Sequence, residues 1–163
     1  VCHIQVPGAI NLTERCRGVT DGATAAGAKV TVLETPPNLD GDVTGTAEAF
    51  KAAMIGDPSI DAIISCADFG AAAAVNAVEP TGAKLLTGAF DFSPASLDRI
   101  KAGTQTMAID QQPYLQGFLA TSMLFAHLKF GTNISTNPVL TGPAIIDASN
   151  VETVIAGAAL GAR

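Results

Sequence analysis

The chain has 163 residues, which is enough for one domain with a substantial buried core. Its formal net charge of −6 argues against a nucleic-acid partner, because phosphate binding requires clustered Lys and Arg side chains. About half of the residues are apolar (48%), yet there is no Trp and only one Tyr, so the predicted core consists mainly of Ala, Val, Ile and Leu.

Strands and helices are predicted to alternate along the chain. The predicted strands are residues 1–6, 28–33, 61–66, 83–89 and 106–110, and the predicted helices between and after them are residues 11–27, 43–55, 69–78, 93–103 and 113–130. Alternation of this kind implies right-handed crossovers between parallel strands. We therefore expect an α/β fold with a doubly wound parallel sheet of about five strands, flanked by helices on both faces.

Three helix starts are indicated by local motifs. Asn11 followed by Glu14 is a candidate capping box for the first helix. Ser93-Pro94 is a strong start for the fourth, with Ser as the N-cap and Pro at the first helical position. Ser149 with Glu152 is predicted to cap a last, weak helix, after two short apolar pieces at residues 139–140 and 144–146.

The three cysteines show no metal-type spacing. Cys2 and Cys66 each lie in an apolar strand-like run, and Cys16 lies on a helix face. No C-x-x-C pair occurs, and the odd count weakens a disulfide framework. We therefore expect all three to be small buried hydrophobic residues rather than disulfide partners or metal ligands.

The helix predicted at Pro113–Phe130 differs from the others because it is apolar around most of its circumference. Packing on one sheet face requires only one apolar stripe, so a further surface must cover this helix. Residues 1–111 are self-consistent as one lobe. Residues 112–163, the long helix and the tail, fit that lobe less well.

Candidate binding groups follow the strand ends. Arg15 lies in the first turn of the first helix, Asp68 follows the third strand, Phe90 and Asp91 follow the fourth, and Gln111 closes the fifth. In a parallel sheet these positions share the edge at which ligands bind. Because this set contains no nucleophile or general base, it is suited to holding a neutral polyhydroxylated molecule rather than transforming one.

For Arg15 the alternative is a solvated arginine paired with Glu14 or Asp21. A cation at a helix N-terminus is unfavourable for the helix dipole, which suggests that Arg15 has another role. Bidentate hydrogen bonding to hydroxyl groups would be such a role.

The other candidates have alternatives of their own. Asp68 could equally be an N-cap for the helix that follows it. Asp91 is less easily explained in that way, because Ser93 already provides a cap. Phe90 could be a core residue or could pack against a sugar ring. The same two alternatives apply to Phe92.

Catalysis finds little support in the sequence. His3 lies within an apolar strand and is predicted to be a hydrogen-bonded core residue, whereas His127 is predicted to lie on a helix surface. Neither accompanies a Ser or Cys in an elbow-type motif, and no His, Cys and carboxylate cluster occurs at helical spacing. We therefore expect a protein that is not an enzyme and uses no cofactor or metal.

Four sequence runs resemble those of a known family. They are N-L-T-E-R-C-R-G at residues 11–18, D-A-I-I-S-C-A-D at 61–68, A-F-D-F-S-P at 89–94, and I-D-Q-Q-P-Y-L-Q-G at 109–117 with T-G-P at 141–143. The chain resembles the C-terminal part of periplasmic sugar-binding proteins of the ribose-binding type, the solute receptors of ABC importers. The resemblance covers essentially the whole chain.

This resemblance implies one lobe of a two-lobed fold that encloses a sugar between its lobes. Carried over by motif, the ligand-binding groups are Arg15, Asp91 and Gln111. Where relatives often have Asn followed by Asp, this chain has Ala67-Asp68, so Asp68 would take over that contact. The implied ligand is a monosaccharide or polyol, the implied partner is an ABC transporter permease, and the implied location is periplasmic or extracellular.

In such relatives the helix that matches Pro113–Phe130 packs on the other lobe. We therefore expect this chain to form a homodimer through that helix. The alternative function is the effector-binding core of a lactose-repressor-type transcription regulator, which shares the fold. A flavodoxin-like enzyme is disfavoured, because residues 6–9 provide neither a phosphate-binding loop nor an acidic cluster.

Overall fold

The computed structural model describes residues 1–79, 82, 84–134 and 136–162. Within them the strands form a single sheet with the order β2-β1-β3-β4-β5-β6. The strands are β1 (Cys2–Ile4), β2 (Val32–Glu34), β3 (Ala62–Ser65), β4 (Leu86–Phe90), β5 (Met107–Asp110) and β6 (Ala144–Ile146). The fourth strand was predicted to begin at Ala83, which lies outside the described residues.

Helices connect the strands and flank the sheet. They are α1 (Ile10–Ala25), α2 (Val43–Gly56), α3 (Asp68–Val78), α4 (Pro94–Ala102), α5 (Pro113–Phe130) and α6 (Val151–Ala159), with a single 3₁₀ turn at Pro37–Leu39 before α2. The predicted α/β class is confirmed. Among the described residues no helix is both long and apolar enough to cross a bilayer.

The sheet is parallel from β2 to β5, as predicted, but β6 is an antiparallel edge strand that the sequence analysis did not place in the sheet. Ala144 pairs with Asp110, and Ile146 pairs with Ala108. A run of three residues carries no information about strand direction. Here the chain returns along β5 in the opposite sense, so residues 141–143 lie beside the carboxyl end of β5.

One predicted helix start is confirmed and two are wrong. Ser93 caps α4 by accepting from the Ser96 N–H, and Pro94 is its first residue. In α1, however, the helix already begins at Ile10 after Ala9, without a side-chain cap, and the Glu14 carboxylate accepts from Arg17 instead of reaching back. Asn11 is therefore inside the helix.

The last helix is likewise capped differently from the prediction. Its N-cap position is Asn150, and no side chain caps it. The Ser149 hydroxyl donates to Asp147, and the Glu152 carboxylate forms an ion pair with Lys101 of α4. Both groups of the predicted cap therefore have other partners.

The core is built mainly from aliphatic side chains and alanine, as the composition predicts. One buried cluster lies between α2, α3 and the sheet, where Phe50 and Ile63 pack against three alanines of α3. A second lies between α4, α6 and β5 and includes Leu97, Ile100 and Ile146. The small alanine side chains let α3 lie close to both the sheet and α2.

His3 is a fully buried core residue with both ring nitrogens hydrogen-bonded, as predicted. Nδ1 lies 2.9 Å from the Ser65 hydroxyl, and Nε2 lies 3.0 Å from the Thr35 hydroxyl. The ring also meets the Phe50 ring edge to face, with 5.0 Å between centroids. Burial lowers the pKa of His3 from 6.5 to about 4, because the charged imidazolium is poorly solvated there.

The prediction for the cysteines is wrong in one respect. Cys2 and Cys16 form a disulfide across a Cα–Cα distance of 5.8 Å, whereas Cys66 is a buried free thiol. The two bonded residues are 14 positions apart, and they meet because α1 packs on β1. Burial itself was predicted correctly, since all three residues belong to one core cluster.

Candidate functional site

Arg15 extends from the first helix across the carboxyl end of the sheet. Its Nη1 atom donates to the Cys66 carbonyl at 2.8 Å and to Asp91 Oδ2 at 3.3 Å. The guanidinium also lies over the Phe90 ring, 4.9 Å from its centroid, and the side chain is 20% exposed. The alternative of a solvated arginine is wrong, because Arg17 contacts Glu14 and Asp21 instead.

Asp91 lies between the other two predicted ligand groups. One carboxylate oxygen accepts from Arg15, and the other accepts from Gln111 Nε2 at 2.5 Å. The backbone of Asp91 has a φ of 66°, in the left-handed region that residues other than glycine rarely adopt. Such a conformation persists when the surroundings hold it, and here it turns the carboxylate towards Arg15 and Gln111.

Gln111 is held by the returning tail. Its carbonyl accepts from the Thr141 hydroxyl at 2.9 Å and from Gln116 Nε2 at 2.8 Å. Gln112, at the N-cap position of α5, donates from its side chain to the Thr141 carbonyl at 2.6 Å. The T-G-P segment therefore fixes the backbone at the end of β5, which leaves the Gln111 amide free to reach Asp91.

An open cleft of about 690 Å³ lies at this edge of the sheet, and we call it the edge cleft. Arg15, Phe90 and Gln111 line it together with the segment from Val139 to Pro143. Most of the exposed lining is apolar, with a few polar groups among it. Small-molecule sites commonly combine an apolar wall with a small number of fixed polar groups.

The two phenylalanines that flank Asp91 have different roles. Phe90 lines the edge cleft and lies beneath Arg15, as the ring-platform hypothesis requires. Phe92 instead packs against the core cluster of Leu97 and Ile100. In a regular strand residues 90 and 92 would face the same side, but the positive φ of Asp91 between them interrupts the extended backbone, and only Phe90 faces the cleft.

Asp68 does not join the hydrogen-bonded group of the other candidate binding residues. It is in the first turn of α3, not at the N-cap, which is Ala67. Its Oδ1 atom is buried and, within the described residues, accepts no hydrogen bond. Arg99 of α4 lies 3.9 Å from that oxygen, so Asp68 forms an ion pair outside the lining of the edge cleft.

The sequence analysis missed two contributions to the site. Val139 and Leu140 line the edge cleft, although no pattern before T-G-P indicated that the tail returns there. The Cys66 carbonyl is the partner that anchors Arg15. A backbone acceptor has no residue signature, so only the structure reveals it.

Comparison with known proteins identifies the family of the chain. A family model described as a periplasmic binding protein domain matches residues 1–133. The chain belongs to this family. The relatives that match are sugar-binding or carbohydrate transport proteins, not enzymes. The xylose/arabinose-binding protein XylF of Sulfolobus acidocaldarius is 37% identical over 71 residues, which are 44% of this chain and 18% of that protein.

Solved structures of family members match nearly the whole chain. A carbohydrate transporter of Acidothermus cellulolyticus, solved with myo-inositol, has a TM-score of 0.82 and 32% identity, over 99% of this chain and 55% of that one. The Caulobacter myo-inositol binding protein, also bound to myo-inositol, has a TM-score of 0.74 and 27% identity, over 95% of this chain and 54% of that one. This family member therefore spans about half the length of these solved relatives.

Proposed function

We propose that residues 1–111 are the ligand-binding lobe of a solute receptor for an ABC-type importer, and that the edge cleft holds a neutral cyclic polyol or monosaccharide. One observation carries this proposal. Arg15, Asp91 and Gln111, which are far apart in the sequence, form one connected hydrogen-bonded group at the edge of the sheet. Phe90 lies directly beside this group.

The charges of the site favour a neutral ligand. Arg15 and Asp91 are paired, so their charges cancel. The nearby carboxylate of Glu14 is already bonded to Arg17. An anionic ligand would find no unpaired cation among the lining residues of the edge cleft. Hydroxyl groups can accept from Arg15 and Gln111, which line the cleft, and donate to Asp91, which is bonded to both of them.

The apolar part of the edge cleft supports a ring-shaped ligand. One face of a cyclic polyol carries C–H groups, which pack against an aromatic ring or aliphatic side chains. Phe90 provides the aromatic surface, and Ile109, Leu140 and Ile145 provide the aliphatic one. The two solved relatives described above have myo-inositol bound, which is a ligand of this chemical class.

In the proposed receptor a second lobe closes over the cleft and buries the ligand, and the permease recognises the closed form. Of residues 112–163, the helix α5 then contacts the second lobe, whereas β6 and α6 pack within this lobe. The location would be periplasmic or extracellular. The Cys2–Cys16 disulfide supports that location, because such bonds persist in oxidising compartments. Family membership favours this role over the effector-binding core of a transcription regulator.

A titration followed by NMR tests the proposal. The chain is labelled with ¹⁵N, and myo-inositol, xylose, arabinose and ribose are added separately. We expect millimolar dissociation constants, because one lobe provides only part of the contacts. The largest amide shifts are expected at residues 15, 90–91 and 111, next to the connected side chains.

The control ligand is hexa-O-methyl-myo-inositol, which keeps the ring but has no hydroxyl donors. It should cause no comparable shifts at Asp91, which accepts hydrogen bonds in this site. Saturating shifts that lie away from the edge cleft for every sugar would contradict the proposal, and so would equal affinity for the methylated control.

We also propose that this 163-residue chain by itself forms a homodimer through α5, the surface that the second lobe would cover in the receptor. No residue of that helix is fully buried within the described structure. Its largest exposed apolar side chains include Phe118, Phe125, Leu128 and Phe130, each more than half exposed. Exposed apolar surface on this scale normally contacts a partner. Light scattering at micromolar concentration should therefore give twice the mass of one chain.

The matched variants replace apolar groups by amides. The triple variant Phe118→Gln, Phe125→Gln and Leu128→Gln should shift the mass towards that of a single chain. Ile55→Gln is the control, because Ile55 is 81% exposed but lies on α2. A single-chain mass for the unaltered protein, or dissociation by the control as complete as by the triple variant, would contradict the proposed interface.

A further inference from the structure

One face of the sheet is only partly covered by helices. On the side of α2, α3, α4 and α6 the side chains of the strands are buried, for example Ile63, Ala108 and Ile146. On the opposite side α1 packs on β1, where Cys2 and Ile4 are buried. Sheets of parallel strands are almost always covered on both faces. The strands beyond α1 therefore need a further partner on this side.

The uncovered part of the sheet lies beside α1 and is apolar. Ile64 is the register partner of Cys2, Gly88 that of Ile64, and Met107 that of Gly88, so these residues face the same side as Cys2. Leu86 is 60% exposed on this side, and the other long side chains are partly exposed. We call this surface the open sheet face; it consists of Ile64, Leu86, Gly88, Met107 and Ile109.

The edge of α1 next to the open sheet face leaves room for a second helix. Gly18 is exposed, and nothing lies within 4 Å of a Cβ atom added there. Together with Val19 it lines the edge cleft opposite the strands, where Ile109 is also found. Glycine in a helix interior costs about 1 kcal/mol relative to alanine, and close approach of another backbone is a structural reason for it.

The helix α5 is apolar and has no surface of its own lobe to pack on. Among the described residues it makes no extensive contact with another helix or strand, and none of its residues is buried. It contains no Asp or Glu, and its basic residues, His127 and Lys129, lie in the last turn. Most of its length can therefore be buried without removing a charge from water.

The exposed area of the chain is large for a monomer. A folded monomer of 16.5 kDa is expected to expose about 7,600 Å², whereas this chain exposes 9305 Å². The excess is about 1,700 Å² for one copy and roughly 3,400 Å² for two, which lies within the range buried in obligate homodimers. The excess area is therefore sufficient for a stable interface between two copies.

We propose that in the homodimer α5 of each copy lies on the open sheet face of the other copy, beside α1. This inference rests on the homodimer proposed above and names the surface that receives the helix. The 18 residues of α5 span about 27 Å, whereas the five residues of β4 span about 17 Å. The helix is therefore long enough to leave its own lobe and cross the sheet of the partner.

The direction of α5 follows from its start. It begins at Pro113, just after β5 ends at Asp110, so it leaves the lobe at the carboxyl edge of the sheet. The two copies then face each other with these edges, and each α5 runs antiparallel to the strands of its partner, as α1 does in its own lobe. The exchange is reciprocal, so the interface closes with two-fold symmetry. Because Ile109 also lines the edge cleft, the partner's helix forms one wall of that cleft.

Paramagnetic broadening between copies tests this contact. Chain carrying a nitroxide on Lys129→Cys is mixed with ¹⁵N-labelled unaltered chain, so that broadening reports only distances between copies. Cys66 is buried and the other two cysteines are bonded, so the introduced thiol is the accessible one. We expect the strongest broadening at residues 86–88 and 107, because the end of α5 lies farthest along the open sheet face. A nitroxide on Ile55→Cys of α2, on the other side of the sheet, is the control and should leave these amides sharp.

The outcomes separate this inference from the homodimer itself. A single-chain mass by light scattering would overturn both. A dimer in which the broadening is confined to α5 would keep the homodimer and overturn the exchange, because the two helices would then pair with each other. A dimer with broadening on the open sheet face supports both.

A pair of substitutions provides a second measurement. Leu86→Gln should weaken dimerisation roughly tenfold or more, because an apolar side chain of the interface is lost. Val32→Gln is the matched control, since Val32 is 48% exposed and faces the same side of the sheet as its register partner Cys2, but lies on β2 at the opposite edge. Circular dichroism checks that both variants are folded, and if either is not, the nitroxide experiment decides alone. Equal dimerisation constants for the two folded variants would contradict the exchange.

Discussion

Replacing Gly70 by alanine is expected to destabilise the fold by about 3 kcal/mol or more, as overpacking of a core does. A Cβ atom at this position would lie 2.0 Å from the Ser65 hydroxyl oxygen and 2.5 Å from the Ser65 Cβ. It would also lie 3.0 Å from His3 Nδ1. Because Ser65 belongs to β3 and His3 to β1, relief of the clash requires α3 to move away from the sheet.

The control for this substitution is Gly22→Ala in α1. Nothing lies within 4 Å of an added Cβ there, and the residue is exposed. Alanine is favoured over glycine in a helix interior by about 1 kcal/mol, so this variant should be as stable as the unaltered chain or more stable. Chemical denaturation of the three proteins measures the difference. Equal free energies of unfolding for the Gly70 variant and the unaltered chain would show that α3 does not pack as described.

Stability should fall as the pH is lowered from about 6.5 to about 4, because of His3. The folded state holds this imidazole neutral, with a pKa of about 4, whereas the unfolded chain has the ordinary value of 6.5. Between these values the unfolded state binds more protons, so stability rises with pH and is fully present above 6.5. At 1.36 kcal/mol per pKa unit the contribution of His3 is about 3 kcal/mol.

The variant that isolates this effect is His3→Gln, whose amide can still bond to the hydroxyls of Ser65 and Thr35. This variant should be less stable than the unaltered chain at neutral pH. Its free energy of unfolding should depend much less on pH between pH 4 and 6.5. His127→Gln is the matched control, since His127 is exposed on α5 and its loss should leave the slope unchanged. A His3 variant with the same slope as the unaltered chain would assign the pH dependence to other groups.

Much of the fold was predictable because periodicity and local motifs report backbone geometry directly. The helix α5 has the predicted bounds, and the Ser93-Pro94 motif starts α4 as expected. The two wrong helix starts share one cause. At both Asn11 and Ser149 a group of the motif bonds to a close neighbour in sequence instead, Glu14 to Arg17 and Ser149 to Asp147, and only the ion pair of Glu152 with Lys101 depends on the fold.

The disulfide and the antiparallel strand were not predictable for a different reason. Cys2 and Cys16 are adjacent only because α1 packs back on β1, and no spacing rule encodes that contact. Residues 144–146 are too short to show a direction, and their pairing with β5 follows from the path of the tail. Both features depend on contacts between elements, whereas the predicted ones depend on sequence within an element.

The proposed binding residues were more predictable than their surroundings. The end of a parallel strand is a position that sequence can locate, so Arg15, Asp91 and Gln111 could be expected at one edge. The structure shows that these three side chains meet. Asp68 satisfied the same rule but turns towards Arg99, because α4 brings that arginine close to it. Strand position identifies candidates, and neighbouring elements decide which of them meet.

The most direct test of the proposed ligand site is the affinity of Asp91→Asn for myo-inositol beside that of Asp98→Asn. Asp91 accepts from both Arg15 and Gln111, whereas Asp98 is an exposed residue of α4 outside the edge cleft. A hydrogen bond to a charged group contributes about 1.5–3 kcal/mol, so the Asp91 variant should bind about 10- to 100-fold more weakly. The Asp98 variant should bind like the unaltered chain, and equal affinities for all three proteins would contradict the proposed site.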